Sequence, residues 1–164
     1  LQAGVTQLNK AHFNLTKNLQ AAVQRIGRMA SANEFTIELI CDHDQEVFVD
    51  ADEFKIYQVV YNLINNALNY SGDSRHVIVR QECIGDTVKV SVQDFGPGIA
   101  KENLPLVWER YYKVDKEHRR SFNGSGLGLA IVRKILELHN AQYGVDSTLG
   151  QGSTFWFCLK VSDE

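Results

Sequence analysis

Cysteine is scarce and odd in number, with Cys41, Cys83 and Cys158 alone and no C-x-x-C spacing. A disulfide framework and a structural zinc site are therefore not expected, and a reducing cytoplasm is the simpler setting. Positive charge is also in short supply: the net charge is −3. That argues against nucleic acid as a partner, because phosphate neutralisation needs a basic surface. No apolar run approaches the roughly 18 residues that span a bilayer, and no signal peptide is visible. Proline occurs only at Pro97 and Pro105, and neither an internal repeat nor a low-complexity tract is present. A phosphate-binding P-loop is excluded as well, since no G-K-[ST] occurs. What remains is a 164-residue chain, 44% hydrophobic and 23% charged, the profile of one ordinary globular domain with a core of its own. It begins with Leu1, so it is expected to be a piece of a longer protein.

Residues 1–11 are short, polar and detached in character, like the tail of a preceding helix or a linker. The domain proper is expected over 12–164. From Leu15, the apolar positions Leu19, Val23, Ile26 and Ala30 recur at helical spacing. Strand-like runs follow at 35–40 and 46–49. A second helix is predicted over about 52–70, with Ile56, Val60, Leu63, Ala67 and Leu68 on one face. Runs at 76–83 and 87–92 meet at Gly85-Asp86 as a hairpin does, and Val88, Val90 and Val92 alternate with polar residues. Residues 94–126 are rich in glycine and charge, with a short helical stretch near 104–112. A third helix at 127–138 precedes two last strands, the second marked by Phe155, Phe157, Leu159 and Val161. Because strand pairs separate the helices, the pattern predicts an α/β (α+β) two-layer sandwich. Its sheet is mixed and mostly antiparallel, with about three helices on one face.

Three segments carry candidate chemistry. On the second helix, Asn62, Asn66 and Asn69 fall within roughly 60° of one another, opposite the apolar face. Asparagine costs up to about 0.7 kcal/mol against alanine in a helix, whereas its amide offers oxygen to a hard cation and N–H to phosphate. A polar surface stripe without a role is the competing reading. Asp94-Phe95-Gly96-Pro97-Gly98-Ile99 leaves the valine strand directly. It suits a buried carboxylate receiving a ligand amine under a close backbone, or it is a plain turn. Gly124-Ser125-Gly126-Leu127-Gly128-Leu129 opens the third helix. Free N–H groups and the positive end of the dipole there suit phosphate, and a flexible hinge is the alternative. Between the loops, Lys113, Lys116, His118, Arg119 and Arg120 form a basic cluster, either phosphate-neutralising or an ordinary charged loop.

Taken in order, these segments resemble the GHKL nucleotide-binding superfamily, and its sensor histidine kinase branch in particular. Asn62-Leu63-x-x-Asn66-Ala67-x-x-Tyr70-Ser71 is similar to the N box and Asp94-x-Gly96-x-Gly98-Ile99 to the G1 box. Residues 108–113, which run Trp-Glu-Arg-Tyr-Tyr-Lys, resemble the F box. Gly124 to Leu129 resembles the G2 box, and Gly150-x-Gly152-Ser153-Thr154-Phe155 the closing strand. The resemblance spans roughly residues 13–161 and implies a Bergerat-type ATP-binding fold.

It also implies roles. Asp94 accepts the exocyclic amine of adenine, with Thr154 assisting through water, while Gly96, Gly98 and Ile99 complete that loop. Asn66, with Asn62, holds Mg2+ against the phosphates of ATP, and Asn69 and Tyr70 lie near the phosphates and ribose. Gly124, Ser125, Gly126, Leu127, Gly128 and Leu129 wrap the triphosphate as a lid. Lys113 reaches the γ-phosphate, and Trp108 and Tyr112 anchor the lid. The chain departs from the common pattern at several positions. Asn69 stands where many relatives have lysine, a loss worth roughly 4 kcal/mol for a charge about 4 Å from phosphate at an effective dielectric of 20. Lys113 replaces arginine and gives up its fork geometry, Trp108 replaces phenylalanine, and Ala141 replaces glycine.

Hydrolytic members of the superfamily carry a glutamate one turn before the metal-binding asparagine. Here that position is Asn62, which is no general base. The resemblance therefore implies transfer of the γ-phosphoryl group with little hydrolysis. None of His12, His43, His76, His118 and His139 has the context of a phosphoacceptor, and His12 reads as structural. The expected acceptor is a histidine on a separate dimerisation domain, and the expected further partner is a cognate response regulator. The isolated domain is expected to be a monomer, the intact protein a homodimer, and the location the cytoplasmic side of a membrane-anchored sensor. A degenerate, regulatory nucleotide-binding module and a serine kinase of the anti-sigma-factor type are the other readings.

Overall fold

Residues 7–42, 45–109 and 128–163 are described by the computed structural model. The chain enters through a short strand, β1 (Ala11–Asn14), and turns into α1 (Leu15–Ser31) at Asn14. The Asn14 side chain accepts the Lys17 N–H at 3.0 Å, satisfying one of the donors that a helix start leaves free. The helix buries Leu15, Leu19, Ala22, Ile26 and Ala30, the i, i+4, i+7 stripe expected of an amphipathic helix. β2 (Thr36–Cys41) and β3 (Phe48–Ala51) follow, then α2 (Glu53–Asn69). Asp52 caps α2 by accepting the Lys55 N–H at 3.1 Å.

β4 (His76–Ile84) and β5 (Thr87–Asp94) form a hairpin, and a 3-10 turn spans Lys101–Leu106. The hairpin turns at Gly85, whose φ of +63° suits the residue without a Cβ. The last elements are α3 (Gly128–Leu138), β6 (Gln142–Thr148) and β7 (Gly152–Ser162). The sheet order is β1-β3-β7-β5-β4-β2, with β6 also paired to β7. Among the described residues only β2 and β4 run parallel; the other pairings are antiparallel. The predicted two-layer α/β sandwich with a mixed, mostly antiparallel sheet is what the structure has.

Alternation along the strands decides what faces the helices. Val88, Val90, Val92 and Asp94 are buried on one side of β5. On β7 their cross-strand partners are Leu159, Phe157, Phe155 and Ser153. Asp94 thus continues a row of valines and carries its carboxyl to the helix side at the end of the strand. α2 packs between α1 and α3 and over β4 and β5, so it has no broad solvated face.

Several expectations shift at this level. Strand β1 was not anticipated: the four residues AHFN carry little apolar periodicity, and tertiary pairing with β3 makes the strand. The helical stretch expected near 104–112 is the 3-10 turn that ends at Leu106, with the residues from 110 on outside those described. Among the described residues the three cysteines are free, and no helix is long and apolar enough to cross a membrane.

Candidate nucleotide-binding site

At the end of β5, Asp94 keeps only 2% of its surface exposed. Its Oδ1 accepts the Gly96 N–H at 3.0 Å, and the Ser153 N–H also donates to the carboxyl. Burial pushes the Asp94 carboxyl up to about 7, while the Gly96 and Ser153 N–H bonds hold it down. Among the described residues no cation pairs with it. A buried carboxylate without a countercharge costs several kcal/mol, which marks the position as a functional candidate.

The loop after Asp94 is wedged between two backbones. A Cβ on Gly96 would collide with the carbonyl of Tyr70, at the C-terminal end of α2. Gly98 has a φ of +79°, and a Cβ there would strike the Thr148 carbonyl. From the other side, Gly150 N–H donates to Pro97 O at 2.7 Å, and Ile99 N–H donates to Ser147 Oγ at 2.7 Å. A plain turn needs no such close approach on both flanks, so that reading loses ground. The loop locks the end of α2 to the β6–β7 turn with Asp94 beneath.

The asparagines of α2 are less exposed than their spacing suggests. Asn69 is only 5% exposed and Asn65, which the sequence did not single out, 6%. Asn62, Asn66 and Tyr70 are half-buried. Asn69 therefore does not lie opposite the apolar face in water. The reason is the central place of α2, which puts helices on both its flanks. Asn69 thus does not belong to a surface stripe, while Asn62 and Asn66 stay half-buried. Asn62 meets the start of α3: a methyl group placed on Gly128 would lie 3.9 Å from Asn62 Cβ. Gly128 and Leu129 are the first described residues of α3, and Gly128 lies beside Asn62.

Thr154 is not the residue that faces Asp94. In the ladder, Asp94 stands opposite Ser153, and Thr154 stands opposite Gln93. Successive strand residues point to opposite faces, so the Thr154 side chain belongs to the face away from the helices. The signal was present in the sequence: Phe155 and Phe157 fix which parity faces the core, and Ser153 shares it.

Trp108 is 9% exposed and meets Tyr143 and Phe155 edge-on, with ring centroids 5.0 and 5.4 Å away. Glu109 pairs with Arg133 of α3 at 3.2 Å. The chain is thus fixed to both core and helix where the described stretch stops. Tyr112, Lys113, Gly124, Ser125, Gly126 and Leu127 lie outside the described residues, as do His43 and His118. Ala141 needs no glycine, because Asn140 takes the left-handed position after α3 with a φ of 54°. His12 is structural: its ring stacks on Phe48 at 5.2 Å, and its Nδ1 lies 3.2 Å from Asp50 and 3.1 Å from Ser162.

The fold is shared with solved kinases. A full-length ShkA structure in complex with AMPPNP matches 96% of this chain and 32% of its own length, at TM-score 0.81 and 26% identity. The mycobacterial sensor histidine kinase MprB matches with TM-score 0.76 and 26% identity, covering 94% of this chain and 99% of that one. In sequence, sensor histidine kinase WalK of Bacillus subtilis (strain 168) is 37% identical over 144 residues, which is 85% of this chain. The chain spans only 23% of that relative's length. Residues 51–163 match the family described as histidine kinase-, DNA gyrase B-, and HSP90-like ATPase. With its relatives among sensor histidine kinases and its fold that of their catalytic domains, the chain belongs to this ATPase family.

Proposed function

We propose that this domain binds Mg-ATP and donates the γ-phosphoryl group to a histidine on a separate dimerisation domain, in two-component signalling with a cognate response regulator. The observation that carries the reading is Asp94: a buried carboxylate, aimed by two backbone N–H groups and lacking a cationic partner among the described residues. An exocyclic amine is the neutral donor that such an acceptor takes without importing another charge. Asn66 and Asn62 lie on the same helix as Tyr70, whose carbonyl abuts the Asp94 loop. Phosphates extending from a base at Asp94 toward α3 meet those amides.

Among the described residues no group of three His, Cys, Asp or Glu converges on a metal site. The donors near α3 are amides, which fit a hard cation that takes most of its oxygens from phosphate and water. When bound, magnesium neutralises phosphate charge during transfer. Asn62 supplies no base, so water is not activated from that position, and the acceptor must bring its own proton acceptor.

Calorimetric titration with a non-hydrolysable ATP analogue tests the reading. Micromolar binding is expected in the wild type. Asp94→Asn should weaken it by at least tenfold, and Asn66→Ala should remove its magnesium dependence. No binding at millimolar ligand would overturn the assignment. Transfer is read separately, by incubating the domain with ATP and a dimerisation domain bearing the acceptor histidine. Binding without transfer would favour the regulatory module instead.

A further inference from the structure

Phe54 stands on the first turn of α2 with 81% of its surface exposed, and the proposed reaction gives it no role. A single exposed apolar residue is ordinary on a protein surface, but this one begins a row. At 100° per residue, Phe54, Tyr57 and Tyr61 fall within roughly 60° of one another on α2. Tyr57 and Tyr61 are half-buried, with ring centroids 6.2 Å apart. The row lies on the α1 flank. Asn18 Nδ2 donates to Glu53 O at 3.1 Å, and further along the Arg25 guanidinium sits over the Tyr61 ring, 5.8 Å from its centroid. The two contacts advance together, so the helices run side by side in one direction and the aromatic row follows the seam between them. Asn62 meets α3 instead, which keeps the seam apart from the proposed nucleotide site.

The α1 border of that seam has one sign of charge. α1 carries Lys17, Arg25 and Arg28 and no carboxylate, although the chain as a whole has a net charge of −3. All three cations are exposed, as is Ala21, and the four residues share a stripe roughly 80° wide. Among the described residues no carboxylate pairs with Lys17, Arg25 or Arg28. α2 adds only Glu53, at its first residue. A solvated helix face that serves only solubility mixes signs at i, i+4 spacing. Here cations without counter-ions run beside a line of aromatic rings.

We propose that the α1–α2 seam docks an acidic amphipathic helix of a partner protein, with apolar side chains on Phe54, Tyr57 and Tyr61 and carboxylates toward Lys17, Arg25 and Arg28. A helix fits a linear seam through anchors at i, i+3, i+4 and i+7, and opposite charges along one border set its orientation. A second copy of this chain fits less well, because a two-fold contact sets each patch against itself and brings cation to cation. An anionic bilayer attracts basic patches, but insertion takes a whole apolar helix face, and this row is one side chain wide. The docking surface does not rest on the nucleotide reading of Asp94.

The test titrates the isotope-labelled domain with a designed helical peptide, leucine at those anchor positions and glutamate on its flanks, and with its lysine-for-glutamate counterpart. The glutamate peptide should bind with a dissociation constant on the order of 10–100 μM and shift the amide resonances of residues 17–29 and 53–61. The lysine peptide should bind at least tenfold more weakly. Phe54→Ser and the double variant Arg25→Glu, Arg28→Glu change exposed side chains, so both should fold as wild type does. Each should lower affinity for the glutamate peptide at least tenfold, and the double variant should now prefer the lysine peptide. Equal binding of the two peptides, or shifts that map elsewhere, would overturn the docking surface. Co-sedimentation with phosphatidylglycerol vesicles that Phe54→Ser abolishes would also overturn it, in favour of a membrane contact. A concentration-dependent dimer that Phe54→Ser dissolves would overturn it in favour of a self-contact.

Discussion

Asp94 is where a single side chain gives up stability, which the proposed function turns to binding. Burial holds its carboxyl up at about 7, against an ordinary value of 3.8. The folded state therefore binds more protons than the unfolded one between those values. The sign follows: this group's penalty is absent below the unfolded value and fully present above the folded one. At about 1.4 kcal/mol per pKa unit the upper bound is on the order of 4 kcal/mol. Asp94→Asn removes the charge, though its NH2 group cannot accept the Ser153 N–H. A net gain of about 1–2 kcal/mol at pH 8 is expected, or roughly 2–8 °C in melting temperature. Calorimetric melting of the ligand-free domain measures it, and a lower melting point than wild type would refute the penalty. Gly96 is the opposite case. Gly96→Ala drives a methyl group into the Tyr70 carbonyl, so the loop must move. A loss of at least about 2 kcal/mol is expected, together with lost nucleotide affinity; denaturant midpoints read the first and titration the second. Both effects were half-legible in the sequence. Asp-x-Gly-x-Gly after a valine strand pointed to a buried carboxylate under a close backbone. Which backbone closes on it depends on Tyr70 and Thr148, distant in sequence. Ser153 was missed in favour of Thr154 because motif spacing was followed where strand parity gave a different answer.

Between elements, the N-terminus of α2 is a junction of three segments. Asp52 accepts the Lys55 N–H through Oδ1 and the Asn9 N–H through Oδ2, at 3.1 and 2.9 Å. Its own N–H donates to His139 Nε2 at 3.1 Å. The other ring nitrogen lies 2.9 Å from Ile135 O, near the C-terminal end of α3. Since Nε2 accepts, Nδ1 carries the proton and donates to that carbonyl, so the arrangement requires a neutral ring. Burial lowers the His139 pKa first of all; Lys10 and Lys55 act in the same direction, against the Ile135 carbonyl and Asp52. A histidine with a lowered folded pKa contributes stability above its unfolded value, and that stability is lost as pH falls through about 6.5. His139→Ala should therefore melt lower than wild type at pH 8, and the gap should narrow toward pH 5. A gap independent of pH would rule the neutral-ring account out. Asp52→Ala should cost about 1–2 kcal/mol, the range of a lost helix cap, as read by urea midpoints. Asp52 at the predicted helix start was readable, because apolar periodicity and a short polar residue coincide there. His139 as its partner was not, since 87 residues separate the pair and nothing local marks the contact. β1 shows the same limit: its pairing with β3 is written in tertiary geometry, not in the residues 11–14.

For the whole molecule, the layout makes binding and folding depend on one proton. α2 runs between α1 and α3, and the Asp94 loop is locked to its end, so a ligand held at Asp94 reports to the entire sandwich. On the proposed function the amine is held by the ionised carboxylate, the stronger of the two acceptor forms. With Asp94 at about 7 in the free protein, lowering pH from 8 to 6 should weaken nucleotide binding by roughly tenfold, the fraction still ionised setting the loss. A ligand present at about 100 times its pH 8 dissociation constant stabilises by about 2.7 kcal/mol. At pH 6 the same concentration gives only about 1.4 kcal/mol. The nucleotide-induced rise in melting temperature should thus fall by about half between the two pH values. Because binding expels the proton, calorimetric heats near pH 7 should also vary with buffer ionisation enthalpy. Asp94→Asn should melt higher than wild type without ligand and gain little from nucleotide at either pH. An equal ligand-induced shift at pH 8 and pH 6, with heats indifferent to buffer, would mean that Asp94 is already ionised throughout. The buried charge would then have to be stabilised in the free protein by something other than the bound base.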